Sequence, residues 1–438
     1  MFKKLLAVLL CIIIIGTLLT GCGNKNSAQN ENKDSSQSEK SQDQSGEKVV
    51  ITLNTYRDTT GTIQSIIDEF NKTHDNIEVK WVESPATADE THNTFVTYLT
   101  AQDSSTDIYV VDVIWVPEFA EAGWAYPLDE FVTKEEKDDI IPAALESFTY
   151  KGKLVAFPYY ADGGMLYYRK DILDKEGLKP PKDWNELIDM ASKLSKKYNM
   201  YGLTPQFAQY EGLICNFTEY LWGNGGDIID KDGKVVVNSP QAVEALQFMI
   251  DMMKKYKIVP EGALTYREDE SLQVFQEGKS IFHRNWAYAW GVVQGDNSKV
   301  KDKVGIVPMP AAPGKSDMPT STFGPQGYMI SKFSKHPKEA WEFLKFLTNK
   351  DNQKKLFAKA GMTPTIMSIY EDSEFAKDMP YLKQNLESFL KAKPRPMTPY
   401  YKQLSDILQI NIHKALIGEL SAKEALDKAA EEIEKVIR

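Results

Sequence analysis

Residues 106–115 read TDIYVVDVIW. The run from Ile108 to Val111 is apolar without alternation, which predicts a strand covered on both faces. Asp112 ends it. An acid at the carboxyl end of such a strand is well placed to line a cleft; it can equally cap a following helix. Working outward, VVITLNTY (49–56) is a β-branched run and IEVKWVE (77–83) alternates, so each predicts a strand. Between them TIQSIIDEFNK (62–72) carries Ile63, Ile66, Ile67 and Phe70 at helical spacing. Strand, helix, strand and helix imply an α/β lobe built on an open, largely parallel sheet.

Further along, GKLVAFPYYADGGMLYYRKDIL (152–173) reads as two extended pieces around a glycine pair. A helix is predicted from Trp184 to about Tyr198, and a second within 238–256 behind an Asn/Ser cap. DKDGKVVV (230–237) predicts a hairpin with an Asp-Gly turn. It lacks the far glutamate that a calcium loop requires. GYMISK (327–332) predicts a strand. PKEAWEFLKFLTNKDNQKKLFAKAG (337–361) predicts one helical region stopped by Gly361. From Ser421 to Arg438 the chain predicts a charged amphipathic helix, with Ser421 and Glu424 as a capping box.

The chain has 438 residues, enough for two lobes and extras. It is 42% hydrophobic and 26% charged, so it can bury a core that needs no disulfide or metal. A formal charge of −10 without a Lys/Arg cluster argues against nucleic acid as a partner. The five histidines are scattered, with no HxxxH or HExxH, and there is no phosphate loop, so neither metal nor cofactor is expected. GNGG (223–226) reads as a turn.

The first residues decide the compartment. MFKK is a basic start, an apolar run of about 15 residues follows, too short to span a bilayer, and Leu19-Thr20-Gly21-Cys22 closes it. This is a secretion signal. Its ending resembles the lipobox of bacterial lipoproteins, which implies cleavage before Cys22 and a diacylated thiol. Residues 23–47 hold one apolar residue, Ala28, and predict a disordered tether. With Cys11 in the leader and Cys22 lipidated, Cys215 is left without a partner and reads as a plain buried thiol.

Two other features could carry chemistry. Asp162 precedes the glycine pair, where it can line a cleft or make a turn. FHRNWAYAW (282–290) places Trp286, Tyr288 and Trp290 at alternate positions. SIFH reads as a strand, Asn285 as an N-cap, and WAYAW as a helix start. Trp290 is expected to pack inward; Trp286 and Tyr288 could face a core or a cleft. A pyranose has an apolar C–H face and a rim of hydroxyls. It needs a flat aromatic surface for the first and charged or amide acceptors for the second.

DVIWVPEFAEAGWAYPLDEF (112–131), the 152–173 stretch, YEGLICNFTEYLWGNGG (210–226), RNWAYAWG (284–291) and PRPMTPYY (394–401) occur in an order that resembles extracellular solute-binding proteins of family 1. These are the sugar-binding components of ATP-driven importers, and the likeness is greatest to trehalose/maltose-binding proteins. It implies a periplasmic-binding-protein type II-like fold of two α/β lobes joined by chain crossings, with the ligand cleft between. It implies one lobe over 48–160, the other over 161–325, a return to the first over 326–378, and C-terminal helices on the second over 379–438. It assigns ligand contacts to Asp112, Tyr160, Asp162, Trp286 and Tyr288, and more weakly to Glu211. Where relatives have Gly-Gly-Trp this chain has Gly324-Pro325-Gln326, so an amide replaces a ring. Where relatives carry a loop Glu, RDTTGT (57–62) offers Thr59 and Thr60; where they carry an Arg, Thr91 or His92 stands nearby. The implied protein is a monomer tethered to the outer face of the cell membrane. It would hand a di- or oligosaccharide to permease subunits. Two readings stay open beside it: a sugar-derived osmolyte or aryl glycoside as ligand, and a surface glycoside hydrolase using Asp112 and Asp162.

Overall fold

The computed structural model describes residues 48–379, 381–389 and 392–437. The signal segment, the tether and Cys22 lie outside the described residues. The strands are β1 (Val49–Thr55), β2 (Ile77–Glu83), β3 (Ile108–Asp112), β4 (Thr149–Tyr150), β5 (Lys153–Leu154), β6 (Phe157–Tyr160), β7 (Gly164–Arg169), β8 (Tyr201–Thr204), β9 (Ser280–Trp286), β10 (Val304–Pro308), β11 (Ser321–Phe323), β12 (Gln326–Ile330) and β13 (Ala392–Pro394). Two sheets organise the molecule. One has the order β2-β1-β3-β12-β6, the other β10-β7-β9-β8.

In the first sheet β1 pairs parallel with β2 and β3, while β12 runs antiparallel to both β3 and β6. Four strands therefore share one direction, and β12 reverses because it enters from the other lobe. The second sheet is mixed rather than largely parallel: β7 is antiparallel to both neighbours, and only β8 with β9 is parallel.

Each sheet has its own core. Ile51, Leu53, Phe70, Val110 and Tyr328 belong to the first. Leu203, Phe217, Leu246, Phe282 and Leu426 belong to the second. The second sheet is covered on both faces. Along β7, Leu166 enters the main core while Met165 and Tyr167 enter another with Phe275 and Ile306. That is the period of two expected of a strand buried on both sides. The chain crosses from sheet to sheet between β6 and β7, and returns between β10 and β12 by way of β11, which pairs with β13. Two helices touch both halves. In Lys350–Ala360, Leu356 packs in the first core and Phe357 against the outer face of the second sheet. In Tyr401–Ile417, Tyr401 joins the first core and Leu404 the second.

Most predicted elements form where the pattern places them, helix Trp184–Tyr198 among them. Region 337–361 differs. It is two helices, Pro337–Leu347 and Lys350–Ala360, because the Asn349 carboxamide oxygen accepts the Asn352 N–H at 2.8 Å and opens a new helix. Gly361 still ends the second at φ 71°. The Asp-Gly segment makes a tight turn around Asp230 with one bridge, Ile229 to Val235, instead of a full hairpin. The Ser421/Glu424 capping box forms. Among the described residues no helix is long and apolar enough to cross a membrane, and no group of His, Cys, Asp and Glu could hold a metal ion.

Candidate ligand-binding site

Strand pairing brings three of the expected residues together at one end of the first sheet. Gln326 faces Asp112 across β12 and β3, and faces Tyr160 across β12 and β6. Directly opposed residues in an antiparallel pair put their side chains on one face. The ladder shifts register at Gln326/Gly327, so the strand ends splay there. Asp112 caps a short 3₁₀ turn: its Oδ1 accepts the Ile114 N–H at 3.2 Å and the Arg395 Nη2–H at 3.1 Å. Its Oδ2 accepts the Gln326 amide N–H at 3.2 Å. Capping and cleft-lining were alternatives for this residue on sequence alone; one side chain serves the first while standing at the strand end.

The second wall is built on β9. The strand runs three residues further than SIFH predicts, because Trp286 pairs with Gly164 of β7. Asn285 is therefore a buried strand residue and not an N-cap. Its Oδ1 accepts the Trp286 N–H at 2.8 Å, and the helix begins only at Ala289. The Trp286 ring is held on several sides. The Arg284 guanidinium carbon lies 4.2 Å from its centroid, and its indole N–H donates to Glu268 at 3.3 Å. Gly324 lies against its edge: a Cβ there would sit 3.1 Å from Cζ3 and crowd the ring. Arg284 is itself clamped by Glu219, with Nε to Oε2 at 2.9 Å and Nη2 to Oε1 at 2.5 Å, both side chains fully buried. A Cβ at Gly164 would fall 1.7 Å from Glu219 Oε1, so the pair needs that glycine too. Burial pushes the Glu219 carboxyl above the usual range, and the Arg284 charge pulls against it.

Trp286 and Tyr288 are half-buried. Burial nevertheless raises the Tyr288 and Tyr160 hydroxyls well above the ordinary tyrosine value. Tyr288 packs its enclosed part against the core on the outer face of the second sheet, as Trp290 does, and Tyr160 packs against the first core. Trp290, also half-buried, packs against that outer-face core with its ring tilted 32° to that of Tyr381 at 4.9 Å between centroids.

Asp162 sits at the crossing. Its Oδ1 accepts the N–H groups of Gly163 and Ala287, both at 2.8 Å, tying the crossing chain to the end of β9. Burial lifts its carboxyl to about 7, against the pull of those two N–H groups. Glu211 opens helix Glu211–Gly223 with its oxygens occupied by protein. Oε1 accepts Arg395 at 2.6 Å and Tyr401 at 2.7 Å, and Oε2 accepts Ser405. Thr60 stands exposed in a turn, where its hydroxyl bonds Asp58 and Thr62. Thr91 and His92 turn to the Pro85 carbonyl and to Glu118.

Arg395 was not singled out by sequence reasoning, although it lies inside the PRPMTPYY stretch. It is almost fully buried and bridges Asp112, at the end of β3, to Glu211, at the start of helix Glu211–Gly223. Arg284, Glu219 and Glu268 were missed as well. Glu219 had a signal: an acid in the middle of a helix buried on every side must have a partner.

The family model described as "Bacterial extracellular solute-binding protein" matches residues 56–354. This chain is a bacterial extracellular solute-binding protein. A probable ABC transporter-binding protein of Deinococcus radiodurans is 34% identical over 358 residues, covering 80% of this chain and 84% of that one. The maltose-bound MalE3 of T. maritima aligns with TM-score 0.84 at 38% identity, over 89% of this chain and all of that one. A solute-binding protein of Thermotoga lettingae, solved with α-D-tagatose, aligns with TM-score 0.81 at 28% identity and the same coverage. The solute-binding protein therefore has the type II periplasmic-binding fold, two α/β lobes with the ligand cleft between them. Its relatives are binding components of ABC importers that work outside the cytoplasm, and they are not enzymes.

Proposed function

We propose that this solute-binding protein captures a trehalose- or maltose-like di- or oligosaccharide and delivers it to an ABC permease by cleft closure. The carrying observation is the pairing of unlike walls. Asp112, Gln326 and Tyr160 stand in cross-strand register on one lobe, and Trp286 with Tyr288 on the other. Hydroxyl acceptors opposite a flat ring suit a pyranose. Asp162 contributes its free Oδ2; Glu211 acts through Arg395, and Thr60 lies at the rim. Lobe 1 is taken as 48–160 and 326–378, lobe 2 as 161–325 and 379–438. Ligand favours closure because only then do both lobes touch it. The protein acts as a monomer, held by a lipid on Cys22 and a tether with a reach of about 25–30 Å. The MalE3 structure with maltose, and a maltotriose-binding protein of Pyrococcus abyssi 25% identical over 76% of this chain, support the choice of sugar.

Titration calorimetry with trehalose, maltose, maltotriose and mannitol tests the reading. A disaccharide or trisaccharide is expected to bind and to raise the melting temperature. Binding of mannitol alone would move the ligand class to polyols. A hydrolase would release glucose from the same sugars over hours; the expected outcome is none.

A further inference from the structure

Two buried side-chain atoms beside Asp112 have no hydrogen-bond partner among the described residues: Gln326 Oε1 and Arg395 Nε. Gln326 is 8% exposed. Its amide cannot be reversed to hide the problem, because the carboxylate at 3.2 Å requires the N–H end. The carbonyl end is thereby turned away from Asp112 and left as a bare acceptor. A buried acceptor without a donor destabilises a fold by roughly 1–3 kcal/mol. It is retained where something else supplies the proton.

Asp112 has capacity of its own. Oδ1 already takes two donors, whereas Oδ2 takes only the Gln326 N–H, and a carboxylate oxygen accepts about two. The sheet end therefore offers two neighbouring acceptors, Asp112 Oδ2 and Gln326 Oε1, bridged by one amide. A hydroxyl carries a single proton. Two adjacent acceptors call for two adjacent hydroxyls.

We propose that Gln326 is a specificity-determining residue that reads a vicinal diol. One hydroxyl donates to Asp112 Oδ2 and its neighbour to Gln326 Oε1, so the ligand meets the first lobe edge-on, through hydroxyls, and presents its C–H face only to Trp286. This rests on the sugar-binding reading above and sharpens it. The ligand has a free diol on the first-lobe side, and a derivative methylated or deoxygenated there is rejected.

Calorimetry with maltose and trehalose, and with the monodeoxy analogues of whichever binds, tests it. In the parent protein two adjacent deoxy positions are each expected to weaken binding about tenfold or more. Gln326→Met, similar in volume and without an acceptor, is expected to bind the intact sugar about tenfold more weakly and to lose the penalty at only one of those positions. Gln326→Asn, which keeps the amide but draws it back, carries the test if the Met variant melts early; the same single position should lose its penalty. Equal affinity of Gln326→Met and parent for the intact sugar overturns the proposal, as does an unchanged pattern of deoxy penalties. If the parent binds neither disaccharide, the sugar reading itself falls and takes this one with it.

Discussion

The two walls of the cleft are built by opposite means. The first-lobe wall hangs from strand ends: Asp112, Gln326 and Tyr160 are cross-strand neighbours, and their geometry is set by the backbone ladder. The second-lobe wall hangs from a side-chain stack. Trp286 rests on Arg284, which rests on Glu219, all the way down to the glycine at 164. A ladder tolerates the loss of any one side chain. A stack does not, because each layer is the support of the next. On the proposed reading, polar recognition would sit on the robust wall and aromatic recognition on the fragile one.

The largest effect should come from breaking the stack at its base. Arg284→Met leaves Glu219 buried without its partner, which costs about 3–5 kcal/mol, read as a fall in melting temperature and a blunted response to sugar. Replacing the partner as well, with Glu219→Leu on top of Arg284→Met, should recover much of the stability, since apolar replacements of both partners are often neutral. A single variant that melts with the parent would show that the ion pair supports nothing. One layer up, Trp286→Ala should weaken sugar binding by about 2 kcal/mol or more, while loss of the ring, half-buried at the top of the stack, lowers the unliganded melting temperature less than Arg284→Met does. An affinity equal to the parent's would remove Trp286 from the ligand wall.

The robust wall was also the legible one. Asp112 could be read because an apolar run ends on it, and Asp162 because it precedes a glycine pair between extended segments; Tyr160 came only from the family resemblance. What joins them could not. The partner of Asp112 across the sheet is 214 residues away, and Arg395 is 283 away. Register of that range leaves no local periodicity behind. The fragile wall was legible in its rings but not in its support. The alternation of FHRNWAYAW fits strand and helix alike, and pairing with β7, which no local pattern contains, keeps Trp286 in the strand. The break at Thr348-Asn349 was readable in principle, since Asn is a strong cap, but helical spacing on both sides masked it.

Asp162 lies where the walls meet, and pH separates its structural from its ligand role. Its carboxyl titrates near 7 in the folded protein because it is buried, against an ordinary 3.8. Between about pH 4 and 7 the folded state holds a proton that the unfolded chain has lost. Stability therefore falls as pH rises through that window and is level above it. Asp162→Asn keeps an oxygen for the Gly163 and Ala287 N–H groups and cannot ionise. Relative to the parent it should gain stability steadily from about pH 4 to pH 8, by about 1.4 kcal/mol for each unit by which burial raises the carboxyl, on top of a pH-independent cost from its new amide N–H groups. Identical pH profiles for the two proteins would show that the carboxyl is ordinary.

The smallest effect belongs to the ion pairs that join elements of the two proposed lobes. Glu90 lies on helix Ala88–Thr100, whose Phe95 and Leu99 are in the first core, and Arg267 precedes helix Glu268–Gln276 of the second lobe. They meet at 3.7 Å with 54% and 43% of their side chains exposed. Lys402 reaches Asp89 at 3.5 Å in a more sheltered setting, where Asp89 also accepts the Glu211 N–H. Pairs as open as Glu90 and Arg267 contribute about 0.2–1 kcal/mol. Salt screens them. Arg267→Gln should therefore lower sugar affinity no more than about fivefold in dilute buffer, and the difference from the parent should vanish at about 0.5 M salt. A loss that persists in high salt would mean that Arg267 does more than latch the lobes, and would move it from the rim into the ligand wall beside Trp286.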